Sequence, residues 1–254
     1  MELIKTVKRR NFWSEVVYYG LNVGLAGVLF LMAQAIPSPY PALVIVLLSK
    51  WRVIAVRPRF WWANLQANLV DIIVGASVVG LMYLPNLGLT VQIVLAVFYA
   101  VWLLFIKPLS KRWQIALQAA CAVFIGVTSL MIVSYDWPVA LVVLMMFLIG
   151  YGAARHFLHS YDEEQIVLLS FICGIVFAEL GWLAYYWTFS YSAILAGSIP
   201  QVTFILMLLS FCAASAYRSW QKHKKFLFSE VAGPIFLTVA TIVLMLVVFN
   251  SVVI

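Results

Sequence analysis

Long apolar runs alternate with short polar gaps along the whole chain. An α-helix needs about 20 consecutive apolar residues to cross the hydrocarbon core of a bilayer. The pattern therefore predicts an all-α, polytopic helix bundle that is integral to a membrane, with about nine transmembrane spans. The predicted spans cover residues 16–36, 40–56, 61–84, 89–106, 113–134, 137–154, 165–187, 198–217 and 230–253.

The first two predicted spans leave alternatives open. Lys50 and Arg52 interrupt the second span, and we expect both side chains to reach the lipid headgroups from a helix end. The alternative is that the second predicted span is merged with its neighbour or forms a re-entrant segment that does not cross the membrane. Residues 1–35 also fit a signal peptide, because a basic start precedes an apolar stretch with a small-x-small ending. If residues 1–35 are cleaved as a signal peptide, eight predicted spans remain in the same orientation.

The basic residues lie on one side of these predicted spans. If the N-terminus is cytoplasmic, all 16 Lys and Arg residues fall in inner segments or at the inner end of the second span. The inner segments are 1–15, 57–60, 107–112, 155–164 and 218–229. Because Lys and Arg are enriched in cytoplasmic loops, we predict an N-in, C-out orientation. Short loops and a basic inner face suit a prokaryotic cytoplasmic (inner) membrane.

Composition excludes the soluble protein classes. Apolar residues make up 65% of the 254 residues and charged residues only 10%, against about 25% charged in an ordinary soluble domain. The net charge of +7 would suggest a nucleic-acid partner in a soluble protein. Here the basic residues flank apolar runs, so we expect the lipid bilayer as partner and no nucleic acid. No gap is long enough to fold alone, so residues 1–254 form a single predicted transmembrane domain.

Two acidic residues fall inside predicted spans. Asp71 lies about ten residues into the third span and Glu179 about thirteen into the seventh, roughly 15 and 20 Å from the inner ends. An ionised acid at that depth costs about 2.5–3.5 kcal/mol, and no Lys or Arg is expected at matching depth. We therefore predict that Asp71 and Glu179 bind a proton or a monovalent cation. Hydrogen bonding between helices is the alternative.

Polar side chains accompany Asp71 along one helical face. Asn64, Asn68 and Asp71 follow i, i+4, i+7 spacing, and Gln118 lies on a similar stripe in the fifth span. We predict that Asn64, Asn68 and Gln118 line a polar cavity, with contacts that hold helices together as the alternative. A face of small residues on the seventh span predicts close approach of another helix; it holds Ser170, Gly174, Ala178 and Gly181.

Common catalytic motifs are absent from the sequence. It has no Gly-x-Ser-x-Gly nucleophile elbow, no His-Glu-x-x-His zinc motif and no Walker A loop, so an enzyme is not indicated and we expect no cofactor. One alternative is a metal held by His156, His159 and Asp162 for a lipid-modifying reaction. A simpler interpretation is that Ser160 and Glu163 form a capping box at the start of the seventh span.

Three functional hypotheses follow from these features. The first is a proton- or cation-coupled transporter or channel for a small solute that uses the intramembrane acids. The second is a non-catalytic scaffold or assembly component of a cell-envelope complex, with a membrane-protein partner or a second copy of the chain. The third is the metal-dependent lipid-modifying enzyme. In any of them, we expect basic loop residues to contact anionic lipid headgroups; the densest are Arg57, Arg59, Lys224 and Lys225.

Overall fold

The computed structural model describes residues 12–51, 55–85, 87–187, 189–193 and 197–248, and most of them are helical. Among the described residues, seven helices are long and apolar enough to cross a membrane. The number rises to eight if one bent pair of helices counts as a single span. Within the described part of the chain, these findings confirm a nearly all-α architecture with seven or eight apolar helices long enough to span a membrane.

Ten α-helices follow one another within the described residues. They are α1 (Phe12–Ala35), α2 (Tyr40–Leu48), α3 (Trp61–Ala67), α4 (Leu69–Met82), α5 (Leu89–Val101), α6 (Arg112–Val133), α7 (Val139–His159), α8 (Ile166–Tyr186), α9 (Gln201–His223) and α10 (Phe228–Val247). A 3₁₀ turn, Pro58–Phe60, precedes α3, and a π-helical segment, Trp102–Ile106, continues α5. Strands β1 (Ser190–Ala193) and β2 (Gly197–Pro200) form an antiparallel hairpin between α8 and α9.

The core is centred on α4, α6 and α7. Val74, Val78 and Met82 on α4 have no accessible surface, and neither does Met146 on α7. Half of the residues in the apolar stretch of α6 are buried, and the same is true of α7, whereas only 11% are buried in the apolar stretch of α1. Since lipid tails are as apolar as these side chains, close packing holds such helices together more than the hydrophobic effect does.

The small-residue face predicted on the seventh span packs directly against α7. A Cβ atom at Gly174 would lie 2.7 Å from the ring of Phe147, and one at Gly181 would lie 2.5 Å from Met146. Ser170 is fully buried on the same face. The prediction of a close helix approach at this face is confirmed.

The second predicted span is much shorter than expected. Helix α2 has nine residues, which rise about 13.5 Å and do not cross a hydrocarbon core of about 30 Å. Lys50 follows the helix and is only 8% exposed. The expectation that its side chain reaches the headgroups is therefore wrong. Arg52 lies outside the described residues.

The third predicted span is broken at Asn68. The segment Pro58–Ala67 and helix α4 meet there at an angle of 65°. The side-chain amide of Asn68 donates to the backbone oxygen of Asn64 at 2.9 Å, and such local bonds compete with regular helix. Asp71 consequently lies in the first turn of α4, and not ten residues into a straight span.

Candidate functional site

Asp71 is the centre of a buried ion cluster. Its Oδ2 accepts hydrogen bonds from the Nζ atoms of Lys50 and, at 2.6 Å, of Lys107. Its Oδ1 accepts from the indole N–H of Trp102 at 3.0 Å. Asp71 is 6% exposed, whereas 37% of the Lys107 side chain is exposed. With both lysines protonated and Asp71 ionised, the cluster has a formal net charge of +1.

Three separate segments bring the cluster together. Lys50 follows the end of α2, Asp71 begins α4, and Lys107 comes directly after the π-helical segment. The backbone N–H of Lys107 donates to the Trp102 oxygen at 2.8 Å, five residues back. This wide turn lets Trp102 and Lys107 both reach Asp71, and π-helical turns of this kind are frequent at functional sites.

The expectation that no Lys or Arg lies at the depth of Asp71 is wrong. The break at Asn68 takes α3 out of line with α4, so that Asp71 meets Lys107 beyond the end of α5. Lys50 joins them because α2 ends early. A straight-span reading misses both contacts, although a lysine that interrupts an apolar run is itself a signal for a buried acidic partner.

A cavity of about 980 Å³ adjoins the cluster. Lys50 and Lys107 lie in its wall, as do Asn64 and Asn68, the two asparagines predicted to line a polar cavity. The rest of the wall is mixed in polarity. It includes Tyr18, Asn22 and Ser49 among the polar residues and Leu21, Leu25 and Val28 among the apolar ones.

Gln118 does not belong to the described wall of this cavity. Its side-chain amide donates to the backbone oxygens of Ile106, at 2.6 Å, and Leu109, at 3.0 Å. Its Oε1 lies 2.7 Å from Nε2 of His156 on α7. Gln118 therefore fixes the end of the π-helical segment against α6 and α7, and it positions Lys107 through the backbone.

Glu179 lies apart from the Asp71 cluster. It is exposed on α8, beside side chains that are also exposed, such as Val176 and Trp182. Within the described part of the chain, no hydrogen bond or ion pair of its carboxylate is found. The two predicted acids thus do not share a site.

The three candidate metal ligands do not form a cluster. His156 contacts Gln118, while His159 and Asp162 are exposed. In the described ranges, no group of three or more His, Cys, Asp or Glu side chains is placed to hold a metal ion. The metal-site alternative therefore has no support in those residues.

The predicted capping box at Ser160 and Glu163 is not formed. Helix α8 begins only at Ile166, and the Ser160 hydroxyl donates to the backbone oxygen of Phe157 at 2.7 Å. The Glu163 carboxylate instead accepts hydrogen bonds from the Tyr217 hydroxyl and from Gln221 on α9. The hydrogen bond from Tyr217 lowers the pKa of Glu163 from its usual value. Glu163 therefore joins the loop after α7 to α9.

The basic residues predicted to contact lipid headgroups lie at the surface. Arg57, Arg59, Lys224 and Lys225 are all exposed. The guanidinium of Arg59 lies 4.6 Å from the centre of the Phe60 ring. Their exposure leaves these cations accessible to lipid headgroups, as the prediction requires.

Comparisons with known proteins assign no family. No family model, no curated protein and no solved structure matches this chain. Function is therefore inferred from the residues of the Asp71 cluster and of its cavity.

Proposed function

We propose that the protein is a proton-coupled transporter of a small solute, with the solute in the cavity and the proton on Asp71. The supporting observation is that the helix break at Asn68 brings the Asp71 cluster to the wall of a cavity of about 980 Å³. Pockets for small ligands commonly measure about 300–1,000 Å³. Many secondary transporters also bind their substrates at helices broken within the membrane.

The coupling follows from the charges of the cluster. Ionised Asp71 attracts Lys50 and Lys107 and thereby holds the end of α2 and the end of the π-helical segment against α4. Protonation of Asp71 removes both attractions. Lys107, which is partly exposed, is then free to turn towards the cavity. A proton thus biases the protein between two arrangements of these segments.

A monovalent cation is a poorer coupling ion at this site. It would have to approach Asp71 against two ammonium groups that already contact the same carboxylate oxygen. Like charges at such distances repel strongly in a medium of low dielectric constant. We therefore propose proton coupling in place of cation coupling.

We also propose that the protein spans a prokaryotic cytoplasmic membrane about nine times, N-in and C-out. The distribution of the 16 basic residues supports this orientation, and the cavity wall that holds Lys50 and Lys107 would then lie towards the cytoplasmic side.

A second candidate function is a scaffold or assembly component of a cell-envelope complex. The position of Glu179 favours it, because an acid exposed on a membrane-facing helix is costly in lipid. Contact with a polar group of another membrane protein, or of a second copy of the chain, would remove that cost. Co-purification of a stoichiometric partner that is lost in Glu179→Leu would favour this function.

Proton flux in reconstituted vesicles tests the transport proposal. The full chain is reconstituted in liposomes that enclose a pH-sensitive dye, and organic anions, amines, sugars and amino acids are added outside. We expect one class to drive internal acidification, which Lys107→Gln reduces. Lys111→Gln, an equal charge change at an exposed residue outside the described cavity wall, should behave as the wild type. Acidification no faster than in empty liposomes for every class contradicts the proposal.

A further inference from the structure

The cavity wall carries an excess of positive charge. Lys50 and Lys107 contribute two charges and Asp71 offsets one. The described lining residues include no acid. Tyr99 on α5 and His156 on α7 also lie within electrostatic range of Asp71. Neither adds a negative charge near neutral pH, so one positive charge remains uncompensated in a partly buried site.

On the basis of the proposed transport function, we infer that its solute is a singly charged oxyanion attached to an apolar group. The oxyanion binds the Nζ of Lys107, the cluster member whose side chain is 37% exposed. One negative charge lowers the net charge of the cluster by one, from +1 to zero with Asp71 ionised and from +2 to +1 with Asp71 protonated, which is favourable where water is scarce. Charge-assisted hydrogen bonds from ammonium to oxyanion are among the strongest in proteins.

The shape and polarity of the cavity support an amphipathic ligand. Asn64, Asn68 and Lys107 supply amide and ammonium donors at one part of the wall. Leu21, Leu25 and other apolar side chains of α1 and α2 supply another part. A phosphate or carboxylate group would take the donors, and an attached hydrocarbon group would cover the apolar side chains.

Binding of this anion is linked to binding of a proton. The oxyanion and the Asp71 carboxylate would share the Lys107 ammonium, and the two negative charges would repel each other. Protonation of Asp71 relieves that repulsion, so each ligand strengthens binding of the other by the same factor. The proton comes from solvent and stays on the Asp71 carboxyl while the anion is bound. Proton and anion thus favour each other's binding, as is required for their transport in the same direction.

Two sources can supply this chemistry: the phosphodiester of an anionic phospholipid, or a free organic anion. Dibutyl phosphate is a suitable probe, because it is a singly charged phosphodiester with short apolar chains. Triethyl phosphate is its uncharged counterpart. We expect titration calorimetry of the full chain in an uncharged detergent to detect dibutyl phosphate and not triethyl phosphate. Lys107→Gln should weaken binding by about tenfold or more, and Lys111→Gln should leave it unchanged.

The same titration in lipid nanodiscs distinguishes the two sources. If the site takes a lipid headgroup, phosphatidylglycerol in the nanodisc weakens the apparent binding of dibutyl phosphate to the wild type. If it takes a free anion, nanodiscs of phosphatidylcholine with or without phosphatidylglycerol give the same affinity. Either result supports the oxyanion site. The absence of dibutyl phosphate binding in detergent, or equal binding by wild type and Lys107→Gln, overturns it.

Proton uptake separates this inference from the transport proposal. Titrations in two buffers of different ionisation enthalpy should show net proton uptake on dibutyl phosphate binding to the wild type. Asp71→Asn should abolish the uptake; if that variant does not fold, the affinity loss in Lys107→Gln still decides the anion site. If dibutyl phosphate binds but no solute drives proton flux in vesicles, the anion site is supported and the transport proposal is contradicted. Flux driven only by neutral or cationic solutes, without anion binding, retains transport and rejects the site.

Discussion

The Asp71 carboxylate accepts hydrogen bonds from three side chains, those of Lys50, Trp102 and Lys107. The two lysines differ in exposure, and this difference determines how much each contributes to stability. Lys50 is 8% exposed and relies on Asp71 for its compensating charge. Lys107 has a side chain that is 37% exposed and retains contact with water. Removing one partner of a buried ion pair is costly because the remaining charge is left unpaired.

Asp71→Asn should therefore destabilise the protein by about 3–5 kcal/mol, while Lys107→Gln should cost about 1 kcal/mol or less. Thermal unfolding in detergent, followed by size-exclusion chromatography, measures both. Lys50→Met combined with Asp71→Asn should recover part of the loss, because no buried ammonium is then left alone. Equal destabilisation by Lys107→Gln and Asp71→Asn would show that the burial of Lys50 does not control the cluster.

Residue patterns in the sequence identified only part of this site. Asn64, Asn68 and Asp71 are conspicuous because polar side chains are rare in apolar runs. The pattern of spans and basic residues places Lys107 in an inner loop, because the topology rule assigns lysines at span ends to the headgroup region. Hydropathy does not give the depth in the membrane of a residue whose helix bends. The contacts of Asp71 with Lys50 and Lys107 therefore become visible only in the folded structure.

Glycines mark where helix α8 meets α7. A Cβ at Gly174 would lie 2.7 Å from the Phe147 ring and 3.1 Å from the Phe147 backbone oxygen, which cannot rotate away. Gly27 on α1 is a matched control, since a Cβ there would meet no described atom within 4 Å. The two positions therefore separate packing from helix propensity.

Gly174→Ala should lower the stability of the protein by about 1–3 kcal/mol through overpacking. Gly27→Ala should be neutral or stabilising, because alanine is favoured over glycine in a helix by about 1 kcal/mol. Thermal unfolding of the two variants in the same detergent provides the comparison. A stabilised Gly174→Ala would mean that α7 and α8 are less closely packed than described.

Glu163 joins the loop after α7 to helix α9 through a pH-dependent contact. Its pKa is lowered in the folded protein, chiefly by the hydrogen bond from Tyr217. A lowered pKa means that the ionised form stabilises the fold above the usual value of 4.5 and that this contribution is lost as the pH falls below it. Wild type should therefore lose more stability than Glu163→Gln between about pH 5 and pH 3.

The matched variant for this experiment is Glu164→Gln, at the exposed neighbouring position. Its thermal unfolding should follow the wild-type dependence on pH. Parallel pH curves for wild type and Glu163→Gln would show that the contact with α9 does not hold the ionised carboxylate.

Element by element, hydropathy predicted the long helices well and the irregular ones poorly. Runs such as 113–134 and 165–187 correspond closely to α6 and α8, because a helix satisfies the backbone hydrogen bonds of a long apolar run within the run itself. The short α2 and the bend at Asn68 were not predicted as such. Both depend on the packing of α2, α4 and α5 around charged side chains, which no local pattern encodes.

The whole molecule has a buried centre and membrane-exposed flanks. Helices α4, α6 and α7 supply the core. In the apolar stretches of α1 and α10, by contrast, only 11% and 17% of the residues are buried. The ion cluster and its cavity lie on the side of α4 where α1, α2 and α5 meet. That arrangement leaves the cavity bounded by some of the least buried helices, which are the easiest to move.

Cysteine accessibility tests the proposed orientation of the whole chain. In a variant without Cys121, Cys173 and Cys212, a cysteine replaces either Tyr135, which is 84% exposed, or Phe226, which is 64% exposed. An impermeant maleimide should label Tyr135→Cys in intact cells and Phe226→Cys only after permeabilisation. The reverse labelling would contradict the N-in, C-out orientation.

The protonation of Asp71 in the presence of an anion tests the central claim most directly. Carbodiimides react with protonated carboxyl groups, and peptide mass spectrometry counts modified Asp71 either as an adduct or as an amide with Lys50 or Lys107. With dibutyl phosphate bound, modification of Asp71 in native membranes should begin at a higher pH than without it. Glu179, which lies apart from the cluster, should show no such change. Identical pH profiles for Asp71 with and without the anion would contradict proton–solute coupling at this site.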